Sequence, residues 1–138
     1  MNQLGLRFHH FGLAVKNKKS AINFLTAMGY VIGEEVYDKE QEVNLILCQC
    51  NEQPDVEVIY KSDKEGPINS ILKNNEALIY HLCYITDNIA DSVNKFRLKG
   101  LRVISVSEPK PAILFNDQYV AFYYIKGFGL IELLQIET

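Results

Sequence analysis

"HLCYITDNIADSVNKFRLKG" (residues 81–100) decides the fold, because the chain carries a second version of it. "HFGLAVKNKKSAINFLTAMG" (residues 10–29) lies on it without a gap, at an offset of 71 that holds from His10 to His81 and again from Gly29 to Gly100. In that register Ile22 meets Val93 and Asn23 meets Asn94. Each segment reads as an apolar strand followed by an amphipathic helix, expected over 18–28 and 88–99. Each helix ends against a glycine, the residue best suited to the left-handed conformation at a helix terminus.

The likeness extends outward from this pair. Strands are expected at about 7–15, 29–37, 43–50 and 55–61, then at 79–86, 101–107, 118–125 and 129–136. Each half therefore reads strand, helix, strand, strand, strand. "DVEVIY" (55–60) resembles "LIELLQ" (130–135), and Glu57 stands 75 residues before Glu132, a change in offset that one hairpin's length absorbs. "GPINS" (66–70) opens a short polar helix near 67–75 that links the halves. The expected fold class is α+β: a single domain of residues 1–138 made of two βαβββ modules, 7–61 and 79–136. Neither module can bury the concave face of a curved sheet alone. Pairing into a curved, partly open barrel-like sheet with a central cleft solves this.

Composition narrows the function. With 48% hydrophobic and 22% charged residues the 138-residue chain is globular. Net charge is −3 and the only basic cluster is "KNKK" (16–19), which argues against nucleic acid as a partner. The longest apolar runs, "AILF" and "YVAFYYI", are too short to span a membrane. The N-terminal "MNQLGLRFHHFG" lacks the basic-then-apolar layout of a signal peptide. Three cysteines, an odd number, argue against a disulfide framework and for a cytoplasmic location. Cys48 and Cys50 alternate on one strand and share a face; small buried apolar residues are a better reading of them than a thiolate metal pair.

His81 sits in an apolar run, where a lone histidine is ordinarily a hydrogen-bonded core residue. It is not alone, since the repeat anchors are His10, Glu57, His81 and Glu132. Val56 and Val58 flank Glu57; Ile131 and Leu133 flank Glu132. Strand alternation sends neighbours to opposite faces, so Phe11, Leu13 and Val15 pack beneath the helix while His10 faces away with Gly12 and Ala14. Buried carboxylates are expensive unless paired, hydrogen-bonded or bound to a cation. Two imidazoles and two carboxylates converging on one cleft meet that cost together by holding a divalent metal: Zn, Co, Ni, Mn or Fe(II) suits such donors, and octahedral coordination leaves two places for substrate or water. The alternative leaves Glu57 in solvent on an edge strand and both histidines structural. His9 competes with His10 as a ligand, but its parity places it on the helix side.

With these residues in view, the chain resembles the vicinal oxygen chelate superfamily, which includes glyoxalase I, methylmalonyl-CoA epimerase, extradiol dioxygenases and bleomycin-resistance proteins. The local likeness is greatest to methylmalonyl-CoA epimerase, through "HFGLAV", "YHLCYITDNI", "DVEVIYKSDKEGPINSILKNN" and "GFGLIELLQ". The resemblance implies paired βαβββ modules, metal ligation by His10, Glu57, His81 and Glu132, and often a homodimer. Tyr80 stands where the epimerases have the first histidine of a pair, and "PAILFNDQ" replaces a loop of glycine and histidine. A carboxylate proposed as a second acid or base in some epimerases falls at Asn44, whose amide accepts no proton at neutral pH; Glu42 shares its parity and could substitute.

The implied chemistry is proton abstraction beside a carbonyl, with a divalent metal (Co, Zn, Ni or Mn) stabilising the enolate and Glu132 as the base. The expected function is a metal-dependent isomerase or epimerase acting on a small-molecule substrate, with an acyl-CoA thioester as the leading class. A glyoxalase I-like lactoylglutathione lyase is the rival enzyme, although the usual aspartate–proline–aspartate–glycine turn before the last strand is here "IKGFG". A metal-free binding protein of the bleomycin-resistance type is the rival outside catalysis, and a dioxygenase fits less well with two carboxylates. Lys16, Lys18, Lys19, Lys61, Lys64, Lys110 and Lys126 are cations that could meet a CoA phosphate. Tyr119, Phe122, Tyr123 and Tyr124 either line the cleft or pack in the core.

Overall fold

The computed structural model describes residues 2–136. They form nine strands and three α-helices in an α+β arrangement, divided into two compact units: His10–Tyr80, and the chain from His81 onward together with the segment that ends at His9.

The first unit contains β1 (Arg7–Val15, from His10 on), α1 (Lys18–Ala27), β2 (Val31–Asp38), β3 (Val43–Cys50), β4 (Gln53–Lys61) and α2 (Pro67–Leu72). Its strands run in the order β2-β3-β4-β1, with β1 and β4 parallel and the other pairs antiparallel. The second unit contains β5 (Ala77–Thr86, from His81 on), α3 (Ile89–Leu98), β6 (Val103–Ser105), β7 (Lys110–Ala112), a 3-10 turn (Ile113–Phe115), β8 (Gln118–Ile125) and β9 (Gly129–Gln135). Its order is β5-β9-β8-β6, with β5 and β9 parallel, and β7 also pairs with β8. Strand order and direction are therefore the same in both units, and β7 with its 3-10 turn is the insertion that the repeat did not foretell.

The helices start and stop where local chemistry requires. Asn17 caps α1 by accepting from the backbone N–H groups of Lys19 and Ser20 at 3.0 and 3.4 Å, and Asn88 caps α3 by accepting from that of Asp91 at 2.9 Å. Gly29 (φ 93°) and Gly100 (φ 80°) take the left-handed conformation just past each helix. Tyr30 then returns its N–H to the Leu25 carbonyl, which delays β2 to Val31 rather than the expected 29. β6 is shorter than the expected 101–107: Val106 and Ser107 both direct their N–H groups at the Phe122 carbonyl, so the ladder ends at Ser105.

Each sheet buries the face that its helix covers. Beneath α1 lie Val15, Ile46, Cys48, Val56, Val58 and Tyr60, joined by Leu25 of the helix and flanked by Phe11 and Leu13. Beneath α3 lie Ala121, Tyr123, Ile125, Ile131 and Leu133, joined by Ile89, Val93 and Phe96 of the helix. Leu6, from the segment before β1, packs in this second core. Cys48 is fully buried and Cys50 packs against the same cluster. Burial pushes the Cys48 thiol up, as expected of an apolar filler rather than a thiolate. No helix of the described residues is long and apolar enough to cross a membrane.

Candidate functional site

The face of each sheet turned away from its helix carries one histidine and one glutamate. In the first unit Gly12 of β1 pairs with Glu57 of β4, and His10 stands two residues before Gly12, hence on the same face. His10 Nε2 lies 3.8 Å from Glu57 Oε2. In the second unit Cys83 of β5 pairs with Glu132 of β9, and His81 stands two residues before Cys83. His81 Nε2 lies 3.2 Å from Glu132 Oε1. Parallel register thus repeats the sequence register, histidine and glutamate lying diagonally across the same strand pair in each unit.

All four side chains are buried, with relative exposures of 0% for His10, 5% for Glu57, 2% for His81 and 3% for Glu132. The reading that leaves Glu57 in solvent is therefore excluded. Alternation explains how carboxylates reach the interior: Val56 and Val58 point into one core and Ile131 and Leu133 into the other, which turns Glu57 and Glu132 to the opposite face. A carboxylate in such a place is tolerable when an imidazole faces it. Imidazole nitrogen beside carboxylate oxygen is also the donor chemistry that borderline divalent cations take.

The flanking residues differ between units. Phe122 of β8 lies opposite Glu132 and sets its ring edge-to-face on His81, with centroids 5.1 Å apart and planes at 82°. Leu47 of β3 occupies the corresponding place opposite Glu57. Phe122 was one of four aromatics in the sequence with two possible destinations. Tyr123 enters the core beneath α3, Tyr119 and Tyr124 are exposed, and Phe122 joins the face of Glu132. Its place was available from the short turn Lys126–Phe128, which sets Ile125 opposite Gly129 and hence Phe122 opposite Glu132.

His9 has the opposite parity to His10, and its ring meets Phe115 edge-on at 5.2 Å, a packing role. The strand parity expected of Glu42 does not hold. Glu42 lies in the turn before β3 with φ 56°, its carbonyl accepting from the Ser62 hydroxyl at 2.8 Å, so strand parity does not orient it. Asn44 lies opposite Tyr60 and shares parity with Ile46 and Cys48, which pack beneath α1. It does not share the face of Glu57, and it donates to the Lys61 carbonyl at 3.4 Å.

Residues 9–122 match the Glyoxalase/Bleomycin resistance protein/Dioxygenase superfamily. No curated protein sequence matches the chain. Among solved structures, methylmalonyl-CoA epimerase from Mycobacterium tuberculosis is similar with a TM-score of 0.80 at 17% identity, over 100% of this chain and 93% of that one. A hypothetical protein from Bacillus halodurans gives 0.79 at 18%, over 96% of each chain. A variant of Streptomyces coelicolor methylmalonyl-CoA epimerase in complex with 2-nitronate-propionyl-CoA gives 0.76 at 20%, over 94% of this chain and 93% of that one. Identities this low establish the fold.

Proposed function

Since the chain belongs to the glyoxalase/bleomycin resistance protein/dioxygenase superfamily, we propose that it is a metal-dependent isomerase of the epimerase kind, removing a proton from the carbon beside a carbonyl. The observation that supports this most is the repetition of one His–Glu pair, buried and in one register, on the uncovered face of both units. In this reading His10, Glu57, His81 and Glu132 would together hold one divalent cation.

When bound, such a cation supplies Lewis-acid stabilisation of negative charge on the substrate's carbonyl oxygen. The chain's own residues do the rest. Glu132 takes the proton on a carboxylate oxygen, and the His81 imidazole at 3.2 Å orients that carboxylate. Phe122 walls His81 on one side and keeps water from it. Glu57 and His10 would serve as ligands to the cation. A proton supplied by water to the opposite face of the carbon, with Glu132 losing its own to solvent, gives an epimer; delivery by Glu132 to the adjacent carbon gives a glyoxalase-type isomer.

The leading substrate class is an acyl-CoA thioester, in keeping with the epimerases of like fold. The chain is proposed to work as a homodimer in a reducing compartment, which light scattering and fractionation check. Loaded with Co, Zn, Ni or Mn in turn, the protein is expected to exchange solvent deuterium into methylmalonyl-CoA with at least one of them. Absence of exchange with every loaded metal refutes the acyl-CoA version. Turnover of the hemithioacetal of methylglyoxal and glutathione instead favours the lactoylglutathione lyase alternative, and tight binding of a small molecule by the metal-free protein favours the bleomycin-resistance alternative.

A further inference from the structure

We propose that the cavity of about 560 Å3 at the C-terminal end of α3 is a binding site for a small phenolic carboxylate, an assignment independent of the isomerase reading. Its floor is one end of the second core: Leu6, Phe96, Ile125 and Ile131, all buried. Leu101 and Phe128 form its rim, and among the described residues that line it Lys99 alone is charged. One wall is set by the segment before β1. There the Asn2 carboxamide accepts from the Leu4 and Leu6 N–H groups at 3.1 and 3.2 Å and donates to the Leu6 carbonyl at 2.6 Å. An apolar cavity of this size with few polar groups is the usual form of a small-molecule site.

The first unit shows what such a corner holds when the chain fills it itself. At the offset of 71, Leu101 answers to Tyr30, and the two backbones close alike. The Tyr30 N–H donates to the Leu25 carbonyl at 3.0 Å, and the Leu101 N–H to the Phe96 carbonyl at 3.0 Å. The Tyr30 ring packs in the core beneath α1, 9% exposed, and its hydroxyl donates to the Pro54 carbonyl at 2.6 Å. At the offset of 75, Phe128 answers to Gln53, whose amide donates to the Met28 carbonyl at 2.8 Å and ties the β3–β4 turn to the end of α1. In the second unit a leucine 39% exposed replaces the phenol, and a phenylalanine 61% exposed replaces the amide. Neither side chain can donate a hydrogen bond, and both leave apolar surface in water beside the cavity. A phenol seated there supplies what Tyr30 supplies in the first unit, an aromatic ring against the core and a hydroxyl donor. Lys99 stands at the position of Met28, so a carboxylate on the ligand meets a cation where the first unit has an uncharged side chain.

The test is calorimetric titration of the full-length protein with 4-hydroxyphenylacetate, as wild type, Leu101→Tyr, Lys99→Gln and Glu132→Gln. The wild type is expected to bind about one equivalent. Leu101→Tyr fills the corner with a phenol of the chain's own and is expected to weaken binding at least about tenfold. Lys99→Gln is expected to weaken it about fivefold, while 4-hydroxyphenylacetamide, which lacks the charge, binds Lys99→Gln and wild type alike. Lys99 is exposed, so that variant stays informative should Leu101→Tyr fail to fold. Glu132→Gln is expected to bind as the wild type does, since Ile131 faces this core and Glu132 the opposite side of the sheet. No saturation of the wild type by about 10 mM, or an affinity unchanged in either folded cavity variant, overturns the proposal. Loss of binding in Glu132→Gln also overturns it, because the ligand then sits at the His–Glu face. So does self-association that Leu101→Tyr abolishes with no binding of the phenol, which gives this surface to a second copy of the chain.

Discussion

Glu132 carries two duties in this account, ligand and base, and its environment is set by Phe122 opposite and His81 at 3.2 Å. Glu132→Gln keeps the shape and removes the proton acceptor. It is expected to lower kcat by a factor on the order of 10² to 10⁴ while leaving KM within a few fold, measured by steady-state kinetics. A second residue cluster gives a pH dependence of stability. Tyr60 donates to Glu35, and Lys18 reaches both Glu35 Oε2 and the Tyr60 hydroxyl at 3.3 Å. The Tyr60 hydrogen bond, with Lys18 beside it, holds the Glu35 carboxyl below its ordinary range. A depressed carboxyl stabilises the fold above its unfolded pKa, and that contribution fades as pH falls through the folded value. The hydrogen bonds to Tyr60 and Glu35 raise Lys18, and burial raises Tyr60, so their contributions hold in neutral solution and fade as pH rises through their folded values. Glu35→Gln is therefore expected to lower Tm at pH 7 and to leave it almost unchanged well below the ordinary carboxylate range. At this scale the four repeat anchors were legible, because equivalence under the offset singled them out. The places of Asn44 and Glu42 were not: each depended on where a turn ends and a strand begins, and one residue of register moves a side chain to the other face.

The element boundaries depend on a few caps and turns, and these are open to test. Asn88→Ala removes the acceptor for the Asp91 N–H and is expected to cost about 0.5–2 kcal/mol of stability in urea unfolding, without change in m. Gly33 sits in the irregular part of the β2–β3 ladder, between Ile32 and Glu35, where an added Cβ would lie 2.5 Å from the Leu47 carbonyl oxygen. Gly33→Ala is expected to cost about 1–3 kcal/mol, because backbone rather than a flexible side chain must yield. Strand and helix existence was legible from alternation and from the glycines after each helix. β7 and the 3-10 turn were not, for two reasons. Three-residue pieces carry no period, and Asn116 and Asp117 take left-handed conformations that the sequence does not require. β6 was overestimated because an apolar run gives no sign that two successive N–H groups will share the Phe122 carbonyl.

Across the whole chain, the repeat was the most legible feature, since an ungapped register of helix and strand twice over admits few architectures. Its structural counterpart is the identical strand order and the identical diagonal of histidine and glutamate in each unit. The differences between halves are informative as well: Gly12 answers to Cys83, and Leu47 to Phe122, so the proposed centre is symmetric in its ligands and asymmetric in its walls. That asymmetry suits a reaction in which one carboxylate, Glu132, moves a proton while the other holds its place.

The most direct test is elemental analysis of the purified protein after loading with a divalent metal, for the wild type and for His10→Ala, Glu57→Gln, His81→Ala and Glu132→Gln. The account requires about one equivalent per chain in the wild type and a substantial loss in each of the histidine variants, with weaker retention in the glutamate variants. A wild type that takes up no metal, or variants that all retain a full equivalent, would contradict it.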